Sequence, residues 1–248
     1  MSGRGKPAGR KRKAQTNLTE NEEKRQRDEV PSDHDVPEFI QLLASDKSEN
    51  TNKRAVWLVG DSHIRWAGER FHSRHRDTFK NFTISWDGQS GLRVEDLHPV
   101  IQLGMIKGRT PEIIFLHVGG NNITSTNQCK TIRIIKSELQ YLFDIFPNSL
   151  IVWVFILPRL SWTREVVDNS YQKKMNSKRQ KINRTISNYV LSFARGRAIL
   201  IESIDLSTPG MFHVDKVHLS DVGNELFIFS IGEAIASFLG SDIKFIKC

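Results

Sequence analysis

"AVWLVGDSHIRWAGERF" runs from Ala55 to Phe71. Its first six residues, 55–60, form a near-continuous apolar run, too short for a buried helix and dense enough for a strand covered on both faces. Gly60, Asp61 and Ser62 break that run. The following stretch, "HIRWAGERFHSRH" (63–75), places Ile64, Trp66, Ala67 and Phe71 near one helical face. Strand, short turn, helix is the first half of a βαβ unit.

The same alternation continues along the chain. Strand-like runs occupy 82–86, 112–119, 150–157 and 198–202, and helical patterns occupy 94–107, 129–146, 171–194 and 221–239. The helix over 129–146 carries Ile132, Ile135, Leu139, Leu142 and Phe143 on one stripe. Alternation of this kind predicts an α/β domain with a five-stranded parallel sheet between layers of helices. In such sheets ligands bind beyond the carboxyl ends of the strands, at a switch in strand order. The loops that begin near residues 60, 87, 119, 158 and 203 are therefore the ones to read for chemistry.

The apolar share is a modest 38%, and the deficit lies near the N-terminus. Residues 1–54 hold 12 basic and 10 acidic side chains and little that could be buried. This segment reads as a disordered charged tail with a short helix at 37–44, and 55–248 reads as the folded domain. No signal peptide is expected, because no apolar core follows the polar start. The longest apolar run, 150–157, is eight residues, far short of the roughly 20 that span a bilayer, so no membrane span is expected. The two cysteines, Cys129 and Cys248, make no disulfide framework and suit a reducing compartment. The expectation is an intracellular protein, nuclear or cytoplasmic, not a secreted one.

The net charge of +8 is uneven. Residues 159–197 hold ten basic and two acidic side chains. "GRKRK" (9–13) and "KRQR" (24–27) are spaced like a bipartite nuclear import signal, although a solvated charge run reads the same way. Weak nucleic-acid binding through 1–27 and 159–197 is the partner reading that follows. In the helix over 171–194, Lys174, Lys178 and Lys181 fall on a face apart from the apolar stripe of Met175, Ile182, Ile186, Val190 and Phe193.

The strand-end loops carry "GDS" (60–62), "DGQSG" (87–91), "GGNN" (119–122) and "DKVHLS" (215–220). Each alone also fits a loop without chemistry. Together they supply what acyl transfer requires: a serine hydroxyl, a histidine base, an acceptor to orient that base, and donors for an oxyanion. Ser62 would attack, His218 would take its proton, and Asp215 would hold the other imidazole nitrogen. The N–H groups of Ser62 and Gly91 and the side-chain amide of Asn121 would form the oxyanion hole. The loop after the fourth strand would bring Arg159, Trp162 and Arg164 to the substrate rim.

These motifs resemble those of the SGNH hydrolases, the GDSL esterase/lipase superfamily, and of its acetylhydrolase-like branch. The family is named for a serine, glycine, asparagine and histidine in separate motifs, matched here by Ser62, Gly91, Asn121 and His218, with Asp215 completing a triad. The resemblance covers about 55–240. It implies a flavodoxin-like three-layer α/β/α fold, hydrolysis of a carboxylic ester or acetyl group, and no metal or cofactor. Two positions depart from the family pattern: His63 stands in the fourth place of "GDSL", and Asn122 stands where an aspartate is usual. The alternative reading is a catalytically idle SGNH-like module that binds nucleic acid or protein. Similar domains occur in proteins encoded by mobile elements.

Overall fold

The computed structural model describes residues 53–75, 78–163 and 168–248. The tail (1–54, apart from its last two residues), the helix at 37–44 and the basic clusters at 9–13 and 24–27 lie outside the described residues, as does Arg164.

The strands are β1 (Arg54–Gly60), β2 (Phe82–Gly88), β3 (Ile113–His117), β4 (Leu150–Val154), β5 (Gly196–Leu200) and β6 (Phe245–Lys247). The helices are α1 (Ser62–Arg74), α2 (Leu97–Ile106), α3 (Gln128–Ile145), α4 (Asn169–Leu191) and α5 (Asp221–Gly240), with 3₁₀ turns at Val94–Asp96 and Gly120–Asn122. The strands form one sheet in the order β2-β1-β3-β4-β5-β6, and every pairing is parallel.

The sheet has six strands, one more than the sequence reading predicts. The addition is β6, three residues of "FIK" beside β5. Its partly exposed residues carry neither a continuous apolar run nor a two-residue alternation long enough to register as a strand.

Alternate residues of each strand face opposite sides, and each side has its own core. Trp57 and Val59 point toward Leu97 and Ile101 of α2, Leu139 and Leu142 of α3, and Ile182 and Ile186 of α4. Val56 and Leu58 point toward Ile64, Ala67 and Phe71 of α1 and Phe227, Ile231 and Ile235 of α5. The result is a three-layer α/β/α sandwich. By length and composition α5 could cross a membrane, a property that the short-run survey of the sequence does not detect. Here half of the helix is buried, with Phe227, Ile228, Ile231 and Ile235 in the core.

Strand order reverses between β1 and β3, so the chain leaves the sheet in opposite directions from these neighbours. A crevice opens at such a switch. Gly60 closes its floor: a Cβ there would lie 2.1 Å from the His117 carbonyl oxygen. That carbonyl also accepts from the Asp61 N–H at 3.1 Å, locking the turn after β1 to the end of β3.

Candidate active site

Asp61 caps α1, its carboxylate accepting from the His63 N–H at 3.1 Å. Ser62 is therefore the first residue of the helix, where backbone N–H groups have no helical acceptor. Its hydroxyl lies at the seam between β1 and β3.

His218 reaches that hydroxyl from the other side of the crevice. Its Nε2 is 2.9 Å from Ser62 Oγ, and its Nδ1–H donates to Asp215 Oδ2 at 2.6 Å. The loop between them is tightly built. An antiparallel bridge joins Phe212 to Leu219, and the His213 N–H donates to the His218 carbonyl at 2.8 Å. Asp215 Oδ1 accepts from the N–H groups of both Val217 and His218 at 2.9 Å. Lys216 adopts φ 63°, a left-handed conformation that non-glycine residues seldom take. Burial pushes the Asp215 carboxyl up, but the His218 side chain and the two backbone donors outweigh it and hold the group well below the ordinary aspartate value. Asp215 is thus an anion wherever the domain is folded near neutrality.

Asn121 stands at the end of β3. Its Oδ1 accepts from Arg159 Nη2 at 3.1 Å, and its Nδ2 donates to the Leu92 carbonyl at 3.0 Å. These two bonds fix which way the amide faces, and they leave one amide hydrogen uncommitted. Gly91 has φ 76°, and its surroundings are open, with no atom within 4 Å of where a Cβ would be. The glycine is required here for its backbone conformation rather than for a close approach. Its N–H has no partner among the described residues.

Asn122 has a different task. It is fully buried, accepts from the Val94 N–H at 3.1 Å, and donates to Glu95 Oε2 at 2.7 Å. Burial pushes the Glu95 carboxyl up, but the Asn122 amide and its other hydrogen bonds outweigh that and hold it below the ordinary value.

The rim residues need correction. Trp162 is only 6% exposed and belongs to the core, because its ring packs inward with Arg159 5.2 Å above it. Arg159 itself turns inward to Asn121, near Asp61 and Asp215. Partly exposed, it stands beside the asparagine of the candidate oxyanion hole. Arg164 lies outside the described residues. The basic stretch 159–197 is also less solvated than its composition implies. Lys178 donates to the Ile123 and Thr126 carbonyls, Arg179 to Ile156, Arg195 to Phe146 and Ser149, and Arg197 to Ala194 and Gly196. With Arg159, five of the ten basic groups are committed to carbonyl or amide oxygens of the fold.

Beneath Ser62 lies a cluster the sequence reading does not single out. Asp61, His63 and His117 are all buried, and both imidazole Nδ1 atoms lie 3.2 Å from Asp61 Oδ1. A ligand atom from each lies within 4.8 Å of the others, a donor set of the kind that binds divalent metals. Hydrogen bonds from the two imidazoles already account for the grouping, and the nearby Arg159 guanidinium supplies positive charge toward Asp61. The signal for this cluster was spacing: His63 two residues after Asp61, and His117 at the end of the adjacent strand.

No protein-family model matches the sequence, and no curated protein does. Solved structures do match in fold. A protein of Streptococcus pneumonia named for platelet activating factor is 18% identical, with a TM-score of 0.59 over 79% of this chain and 89% of that one. A GDSL-like lipase of Bacteroides thetaiotaomicron is 15% identical, with a TM-score of 0.57 over 79% of this chain and 95% of that one. The acetylxylan esterase Axe2 of Geobacillus stearothermophilus is 11% identical, with a TM-score of 0.53 over 77% and 96%. The chain shares its fold with these proteins.

Proposed function

We propose that this chain is a serine hydrolase that cleaves a carboxylic ester or removes an acetyl group. The observation that carries the reading is the unbroken chain Ser62 Oγ, His218, Asp215, with contacts of 2.9 and 2.6 Å. It lies at the strand-order switch, where a ligand can reach it. GDSL-type lipases and acetylxylan esterases share the fold, which agrees with the chemistry.

In this reading Ser62 Oγ attacks the acyl carbon while its proton passes to His218 Nε2. Asp215 keeps the imidazole in the tautomer with hydrogen on Nδ1 and stabilises the imidazolium that forms. The carbonyl oxygen, now an oxyanion, takes hydrogen bonds from the N–H groups of Ser62 and Gly91 and from the free hydrogen of the Asn121 amide. His218 then returns its proton to the leaving oxygen or nitrogen. Water, deprotonated by the same imidazole, releases the acyl group from Ser62. Asp61 and the two imidazoles hydrogen-bonded to it lie under the helix start and set the direction from which Ser62 faces the crevice.

The test is covalent. A fluorophosphonate probe should label the wild-type chain at Ser62 and should not label Ser62→Ala. Turnover of an activated ester should collapse in Ser62→Ala, His218→Ala and Asp215→Ala, with effects that do not add because the three act as a unit. Labelling at a different residue, or full turnover in Ser62→Ala, would overturn the assignment.

A further inference from the structure

Ser62 and Trp66 are four residues apart on α1 and so project from one face of the helix. The Trp66 indole lies flat on the His218 imidazole, with centroids 4.6 Å apart and planes 7° from parallel. It also makes a T-shaped pair with His213, with centroids 5.5 Å apart and planes at 75°. Trp66 belongs to neither apolar core cluster, although its neighbours on α1, Ile64 and Ala67, do. Its described ring partners are the two histidines of the loop that carries Asp215 and His218. Core packing thus does not explain this tryptophan.

We propose that Trp66 is a positioning residue for the base, an aromatic platform that holds the His218 ring and favours it once it has become cationic. The inference rests on the hydrolase reading above. His218 is fixed in its plane by Asp215 at Nδ1 and by Ser62 at Nε2, but neither contact resists tilting about the line joining them. A flat indole against the ring face does resist it. The second effect is electrostatic. The face of an indole attracts a cation. In the proposed reaction His218 becomes an imidazolium when it takes the Ser62 proton. The attraction therefore grows along the reaction coordinate, and only interactions that strengthen toward the transition state raise kcat. One helix face supplies both the nucleophile and the platform for its base, so the two keep their relation if the loop shifts.

Two sets of proteins test this. Trp66→Leu keeps an apolar side chain but has no π face. It should lower kcat about 3- to 30-fold on an activated ester, with KM within about twofold, while Trp66→Phe keeps most of the rate. The electronic part is read from the wild-type chain grown with tryptophan of increasing fluorine content, because fluorine weakens the negative ring face and barely changes its shape. Log kcat should fall stepwise with fluorination in the wild-type chain and stay flat in Trp66→Phe, where the other four tryptophans carry the same label. A flat series in both backgrounds, or a Trp66→Leu chain as fast as wild type, overturns the platform and leaves the hydrolase reading intact. A wild-type chain that neither labels with fluorophosphonate nor turns over ester overturns both. If Trp66→Leu fails to fold, the fluorinated wild-type series decides alone.

Discussion

Asn121 and Asn122 are adjacent in sequence and opposite in role. Asn121 has a free amide hydrogen at the crevice, while every polar atom of Asn122 is used inside the fold. Asn121→Ala should cost about 10²–10³ in kcat, the loss typical of one oxyanion donor, and about 1 kcal/mol of stability, because Arg159 and the Leu92 carbonyl lose a partner. Asn122→Asp should instead unfold the protein more easily at neutral pH, because it sets a second carboxylate against Glu95. Its midpoint in urea should recover as the pH falls toward the carboxylate range. A neutral-pH midpoint equal to that of wild type would show that the Glu95 contact contributes little. The sequence reading assigns an oxyanion donor to "GGNN", because glycines and asparagines at a strand end are recognisable. It could not show that Asn122 reaches back to Glu95, since that contact depends on how the 3₁₀ turn at Val94–Asp96 packs against the loop. Likewise Arg159 read as a rim cation. Only the fold shows that its guanidinium faces Asn121.

At the scale of elements, five strands and five helices were legible because the central strands are apolar runs and the helices are apolar on one stripe or, in α5, along most of their length. What the pattern could not resolve is which charges of a helix face inward. Lys174, Lys178 and Lys181 share a region of α4, yet only Lys178 bends over to the loop after β3, donating to the Ile123 carbonyl at 2.6 Å and to the Thr126 carbonyl at 2.5 Å. Burial pushes its ammonium below the ordinary lysine value. Lys178 thereby ties α4 to the loop that carries Asn121. Lys178→Met should cost about 1 kcal/mol of stability, because two carbonyls lose a charged donor, and should lower kcat as the loop loosens. Lys174→Met and Lys181→Met, both exposed, should shift stability by no more than about 0.5 kcal/mol. Equal effects at all three lysines, read from urea midpoints and ester turnover, would mean that the contact to the loop does not hold in solution.

At the scale of the whole domain, the buried polar cluster at the ends of β1 and β3 predicts how the protein responds to acid. Asp61, His63 and His117 lie buried where β1 and β3 end. For Asp61, burial raises the carboxyl, but the two imidazoles outweigh it and hold the group well below its ordinary value. For His63, burial dominates and lowers the imidazole, helped by His117 and Arg159 and opposed by Asp61. The signs then run together. An unfolded chain protonates His63 near 6.5, whereas the folded chain resists until a lower pH. Between those two points the unfolded state binds a proton that the folded state does not, so stability falls as the pH falls, by up to about 1.4 kcal/mol per unit for one such group, and levels off once the folded imidazole is protonated. Asp61 adds to the loss only below about pH 4, where the unfolded carboxylate would take its proton. His63→Asn retains a donor for Asp61 without a titrating ring. Its unfolding midpoint should therefore change less than that of wild type between about pH 8 and about pH 5, the difference corresponding to up to one proton. Parallel pH dependence of stability in the two proteins would place the acid-sensitive group elsewhere in the fold.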